Sequence, residues 1–176
     1  MDAAEQVPQG GGESLMTDPD SKLKILDCQA SDHEYLHKDF HGALCYSIYY
    51  LDQKLGPQAT RDYLVEVGRK NYKELVRRLR AEGLPALERH WQEVFTREGG
   101  KFRMEYEGQT LVLTVEECPA IAHLKKTGQL FTTRYCETTV VVNETICAEA
   151  GYSASCQYEP GEGRCVQKFW KETESK

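Results

Sequence analysis

His33, His37, His41 and Cys45 follow one another at i, i+4 spacing. A histidine pair at that spacing on a helix is the geometry of helical zinc sites. Each step turns about 40° further round the axis, so only neighbours such as His41 and Cys45 can share a ligand. His33 and His37 stand among charges in what would be the first turns and read as solvated. His41 borders an apolar stripe through Phe40 and Leu44 and suits a core or a ligand role equally. Cys118 precedes Pro119, in the N-cap position of a short helix. A sulfur there faces free backbone N–H groups and the positive end of the helix dipole, which lowers a thiol pKa and makes a nucleophile or a metal ligand. The bland alternative is a small apolar side chain at a strand-to-helix junction. His123 lies five residues on, about 140° round the helix, a poor base for Cys118 although it can line the same pocket.

A later helix carries a second group. Cys136, Asn143 and Cys147 share one face within about 20°. Eleven residues rise roughly 16 Å, so Cys136 and Cys147 cannot bind one metal ion, whereas Asn143 and Cys147 can touch one ligand; the same face also reads as core. Glu144 is an acid, base or metal ligand if buried. Cys156 and Cys165 oppose each other if Tyr158 pairs with Gly163 across a four-residue loop; a disulfide or a shared metal is then geometrically conceivable, and in a reducing cytoplasm two free thiols are expected.

The elements that must position these residues follow from periodicity. A Ser31-x-x-Glu34 capping box opens a first helix with apolar positions Leu36, Phe40, Ala43, Leu44, Ile48, Leu51 and Leu55. Gly56 ends it and Pro57 opens a second helix that runs to about Glu82, closed by Gly83. A third spans Pro85 to about Arg97. The period then changes to two: Phe102, Met104 and Tyr106, a turn at Gly108, then Leu111, Leu113 and Val115 form a hairpin. A short helix follows from Pro119 to Thr127. Thr133 to Ala150 has β-branched strand propensity at Thr138–Val142, but Tyr135, Thr139, Val142, Ile146 and Ala150 fit a helical face and Gly151 suits its end, so the reading is helix. A second hairpin joins Tyr152–Glu159 to Arg164–Trp170. The expected fold is α+β, helices packed on an antiparallel sheet built from two hairpins.

The 176 residues fit one domain with a leader. Residues 1–22, with Gly10-Gly11-Gly12 and few apolar side chains, read as a disordered acidic leader, and 23–176 as a single α+β domain. The leader holds five acids and one base, so the formal charge of −6 falls to −2 for the rest. That balance argues against a nucleic-acid phosphate binder. The run Lys70, Lys73, Arg77, Arg78 and Arg80 is interleaved with Glu66, Glu74 and Glu82 and reads as a solvated helix face. No secretory signal and no transmembrane stretch is evident, so a reducing cytoplasm is the expected compartment. Seven cysteines, an odd count without a Cys-x-x-Cys pair, disfavour a disulfide framework, a zinc ribbon and a thioredoxin-type pair. No P-loop, GxGxxG, GxSxG or HExxH pattern occurs.

Several pieces in order carry a resemblance: Asp39-Phe40-His41-Gly42-Ala43-Leu44, Cys118-Pro119-Ala120-Ile121-Ala122-His123, Tyr135-Cys136 and Asn143-Glu144-x-Ile146-Cys147. From Asp39 to Trp170 the chain resembles the L-2-amino-thiazoline-4-carboxylic acid hydrolase-like family. Its end, Glu144-x-x-Cys147-x-x-x-Gly151-x-x-x-x-Cys156, also resembles the 4-vinyl reductase-type ligand-binding domain. The first resemblance implies a hydrolase that opens a cyclic thiazoline amidine to N-carbamoyl-cysteine, the second a non-catalytic module for a small ligand or metal. Ring opening needs a base to activate water and an acid for the departing sulfur. His41, Cys118, His123 and Glu144 are the catalytic expectations, and Cys136, Asn143 and Cys147 the substrate-binding ones. A divalent metal is left open as cofactor. A small molecule is the expected partner, with neither nucleic acid nor membrane; the oligomeric state is not legible.

Overall fold

The computed structural model describes residues 34–171, apart from the side chains of residues 34–37 and 39. The leader, the Ser31 cap, His33 and His37 lie outside what is described. The elements run α1 (Glu34–Leu55), α2 (Pro57–Asn71), α3 (Lys73–Glu82), α4 (Leu84–Glu98), β1 (Lys101–Glu107), β2 (Thr110–Glu117), α5 (Pro119–Thr127), a single 3-10 turn (Thr133–Cys136), α6 (Glu137–Ala150), β3 (Tyr152–Glu159) and β4 (Arg164–Lys171). The two hairpins join into one antiparallel sheet in the order β1-β2-β4-β3. The fold is α+β, as periodicity predicts. No helix among the described residues is long and apolar enough to cross a membrane.

Three local readings change. The second helix is two helices, broken at Tyr72 (φ −109°, ψ 19°). A straight helix would aim Leu64 and Leu75, eleven residues apart, to one side within about 20°. The break instead sends them into different apolar clusters. Leu75, Val76 and Leu79 join Leu84, Leu87, Leu111, Leu113, Val115, Val142, Ile146, Cys147 and Phe169 over the sheet. Leu64 joins Cys45, Ile48, Ala120, Ile121, Leu124, Tyr135 and Val141 beside it.

The buried stripe of α1 is also rotated from the expected one. Cys45 and Ile48 are fully buried, whereas Phe40 and Leu55 are exposed, at 58% and 68%. His41 therefore belongs to the inward side on its own account, rather than as the border of a Phe40 stripe. Finally, the first turn of the Thr133–Ala150 segment is 3-10, so Cys136 caps α6 instead of sharing its face with Asn143 and Cys147. Helix wins over strand propensity in α6 because its burial is shared between two clusters, Val142, Ile146 and Cys147 in the one over the sheet and Val141 in the other.

Gly68 of α2 sets how closely that helix meets α6. A Cβ added there would lie 2.9 Å from Thr145 Cβ, an atom rigidly fixed to α6. Alanine gains about 1 kcal/mol of helix propensity, but overpacking of this kind costs about 1–3 kcal/mol. Gly68→Ala is expected to lower stability by about 1 kcal/mol in net, read as a lower urea midpoint at unchanged m-value.

His90 of α4 is packed edge-on against Trp91 at 4.6 Å and Tyr72 at 6.0 Å, and its Nε2 is buried without a hydrogen-bond partner. Burial, then the nearby Arg78 charge, push its pKa down to about 4. The unfolded chain binds a proton near 6.5 and the folded one does not, so stability drops as pH falls from about 6.5 towards 4. The expected loss from this ring is on the order of 3 kcal/mol at most. In denaturant melts across that range, His90→Phe should lose less stability than the parent chain.

Candidate functional site

Where the two apolar clusters meet, the chain places its most polar interior. Cys118 packs against both clusters, and its N–H donates to the Gly163 carbonyl at 2.9 Å, which locks the start of α5 to the β3–β4 turn. Gly163 holds a positive φ of 74°, a backbone conformation that suits a residue without Cβ. The 3-10 turn is pinned from the other side. Asp52 of α1 accepts from the Thr60 hydroxyl and from Arg134 Nη1, the latter at 2.5 Å. This network fixes Tyr135, the next residue, against α1.

Tyr135 then meets His41. Its hydroxyl lies 3.1 Å from His41 Nδ1, and Glu98 Oε2 lies 3.0 Å from His41 Nε2. The imidazole is thus gripped at both nitrogens by side chains from α4 and from the turn. An ionised carboxylate only accepts, so Nε2 carries the proton and, in the neutral ring, Nδ1 accepts from the phenol. The His41 and Glu98 side chains are 17% and 9% exposed, so both lie largely inside the fold. Glu98 is the last residue of α4, where the helix dipole disfavours an acid; the pairing with His41 offsets that.

Thiols surround the array. Burial pushes Tyr135 well above its ordinary value, and the nearby Cys118, Cys45, Glu98 and Cys136 act in the same direction. The N-cap position was expected to make Cys118 a thiolate. Its pKa moves up instead: burial outweighs the N–H groups of Ile121 and Ala120, which do pull it down. Burial likewise raises Cys136 to about 12. Both sulfurs are therefore thiols at neutral pH.

Three of the remaining predicted residues stand elsewhere. Cys147 is fully buried in the cluster over the sheet, its thiol pushed up to about 12, and it serves as core. Asn143 is buried and donates to Gln167 Oε1 at 2.8 Å, so it faces β4. Glu144 is on the surface, 39% exposed, where Arg61 Nη2 contacts it at 2.7 Å; it is no buried acid. His123 is half-buried on α5. Among the described residues no set of three or more His, Cys, Asp or Glu side chains is arranged to hold a metal ion. The basic run is an ion-paired face: Arg77 pairs with Glu74, and Arg69 and Arg80 grip Glu149 at the end of α6, beside a surface groove of about 320 Å³.

Two members of the array escape a reading of the sequence. Glu98 precedes Gly99-Gly100 and reads only as a helix end. Tyr135 reads as an apolar position of α6. Gln167 is more legible: it is a polar residue at the inward-facing step between Cys165 and Phe169. Compared with protein-family models, curated proteins and solved structures, the chain finds no match.

Proposed function

We propose that the chain hydrolyses a small cyclic amidine of the 2-amino-thiazoline-4-carboxylate type, with His41 as its acid–base group. The Glu98–His41–Tyr135 array supports the acid–base part of this reading, and the family resemblance supplies the substrate class. Water takes the place of the Tyr135 hydroxyl at His41 Nδ1 and adds across the ring C2=N bond, its proton passing through His41 to the ring nitrogen; the C2–S bond then breaks as the added hydroxyl becomes the carbonyl of N-carbamoyl-cysteine and gives its proton to the sulfur. Glu98 orients the imidazole and favours its charged form after proton uptake. Tyr135, held as a phenol by burial, donates a hydrogen bond rather than acting as a base. Cys118 and Cys136 line the array as neutral thiols, and a reducing cytoplasm is the compartment this reading assigns.

The protonated thiols favour one alternative, a non-catalytic module that binds the same class of ligand without turning it over, since no activated sulfur nucleophile stands beside His41. Incubation of the purified chain with 2-amino-thiazoline-4-carboxylate, with and without added divalent metal, separates the two. Mass-detected N-carbamoyl-cysteine supports hydrolysis. Binding by calorimetry without product supports the module, and neither overturns both.

A further inference from the structure

On the inward face of the second hairpin, apart from His41, Asn143, Gln167 and Cys165 form a chain of hydrogen bonds beside Cys156. Tyr158 pairs with Cys165 and Cys156 with Gln167, so the two cysteines are diagonal neighbours rather than directly opposed, contrary to the Tyr158–Gly163 register expected from the sequence. The two thiols lie close enough for each to shift the other's ionisation. Gln167 Nε2 donates to the same sulfur at 3.3 Å. Asn143 Nδ2, from α6, holds Gln167 Oε1 at 2.8 Å and so aims the Gln167 amide at Cys165. Asn143 and Gln167 are 4% and 3% exposed. Two buried amides spent on one sulfur are a built arrangement, because an apolar pair would fill the same space without needing partners.

We propose that Cys165 is a hydroperoxide-reactive thiol and Cys156 its resolving partner, so that a small hydroperoxide closes a reversible Cys156–Cys165 disulfide between β3 and β4. This stands apart from the hydrolysis reading and does not use His41. The Cys165 sulfur attacks the terminal peroxide oxygen, the O–O bond breaks, and the departing alkoxide or hydroxide takes a proton from the thiol pair. Cys165 is then a sulfenic acid. The Cys156 sulfur attacks it, the S–O bond breaks, and water leaves with the remaining proton. Two thiols and one hydroperoxide give one disulfide, one alcohol or water, and one water; the thiols are oxidised by two electrons and the peroxide reduced by two.

The electrostatics agree with this division of roles. The neighbouring Cys156 and Gln167 pull Cys165 below the ordinary thiol value against its burial. The same pairing of thiols pushes Cys156 up, so it keeps its proton. Burial moves Cys45, Cys118, Cys136 and Cys147 upward instead. Both cysteines are half-buried rather than fully enclosed, and β3 is an edge strand of the sheet. Diagonal partners lie farther apart than opposed ones, so the bond draws the strands together and remains easily reduced.

The test treats the reduced full-length chain with limiting hydrogen peroxide and maps it by peptide mass spectrometry without reduction. The expected product has lost two hydrogens and joins Cys156 to Cys165; dithiothreitol reverses it. Cys156→Ser should trap a dimedone adduct on Cys165, and Cys165→Ser should leave Cys156 unlabelled. Gln167→Met should slow the reaction about tenfold through loss of one hydrogen bond to a charged sulfur. Within the unmutated chain, where folding is not in question, Cys165 should oxidise before Cys118 and Cys136. Oxidation of those two first, or a disulfide that omits Cys165, overturns the proposal.

Discussion

Replacing His41 with alanine is expected to lower kcat/KM for 2-amino-thiazoline-4-carboxylate by about 10²–10³-fold, the usual range for loss of a positioned acid–base group. The effect follows from geometry. This imidazole is held at one nitrogen by a nearly buried carboxylate and at the other by a buried phenol. The variant also removes one partner of the nearly buried Glu98, which costs about 1–3 kcal/mol of stability, so a thermal melt must accompany the kinetics. Glu98→Gln keeps the volume and a hydrogen bond but not the charge that favours an imidazolium. It should therefore act on kcat more than on KM after rates are normalised to the folded fraction read from the melt, because a smaller active fraction alone also lowers apparent kcat at unchanged KM. Tyr135→Phe removes one hydroxyl and tests the other grip on the ring.

The second large effect concerns the scaffold. Phe169→Ala is expected to destabilise the chain by about 3–5 kcal/mol, the range for deleting a buried aromatic ring. Phe169 is fully buried at the centre of the sheet, paired with Leu111 of β2 on one side and Ala154 of β3 on the other. Neither neighbour can fill the hole without moving a strand. A domain of this size has about 5–15 kcal/mol in all, so the variant is expected to be partly unfolded at moderate urea, which a chemical melt reads directly. Gln167 and Cys165 share its face on β4, and their contacts should loosen with it.

Period and punctuation carried most of the fold. Gly56, Gly99, Gly128 and Gly151 end their helices, and the change from helical to alternate spacing near Phe102 marks the sheet. The α2–α3 break at Tyr72 was not legible, because no proline or glycine marks it; it answers to two clusters that exist only in three dimensions. The site was legible in part. His41, Cys118 and Cys136 do converge, but their nearest partners Glu98 and Tyr135 are fixed by a helix end and a 3-10 turn with no motif of their own. Cys118 fails as a thiolate for a related reason. Local geometry supplies the N–H groups, while burial, a property of the whole fold, outweighs them. Glu144 points to solvent and Cys147 to the core, which their i, i+3 spacing on α6 does not distinguish from a shared pocket.

The account's central claim is that Glu98 and Tyr135 hold His41 as the acid–base group of a small-molecule site. Long-range ¹H–¹⁵N spectra of the labelled full chain test it most directly, at a pH well above the ordinary histidine range and with His41→Ala for assignment. The account predicts a single Nε2–H tautomer for His41, and a shift of its ring nitrogens on adding 2-amino-thiazoline-4-carboxylate while those of His90 stay still. A His41 ring that averages between tautomers and ignores the compound would contradict it.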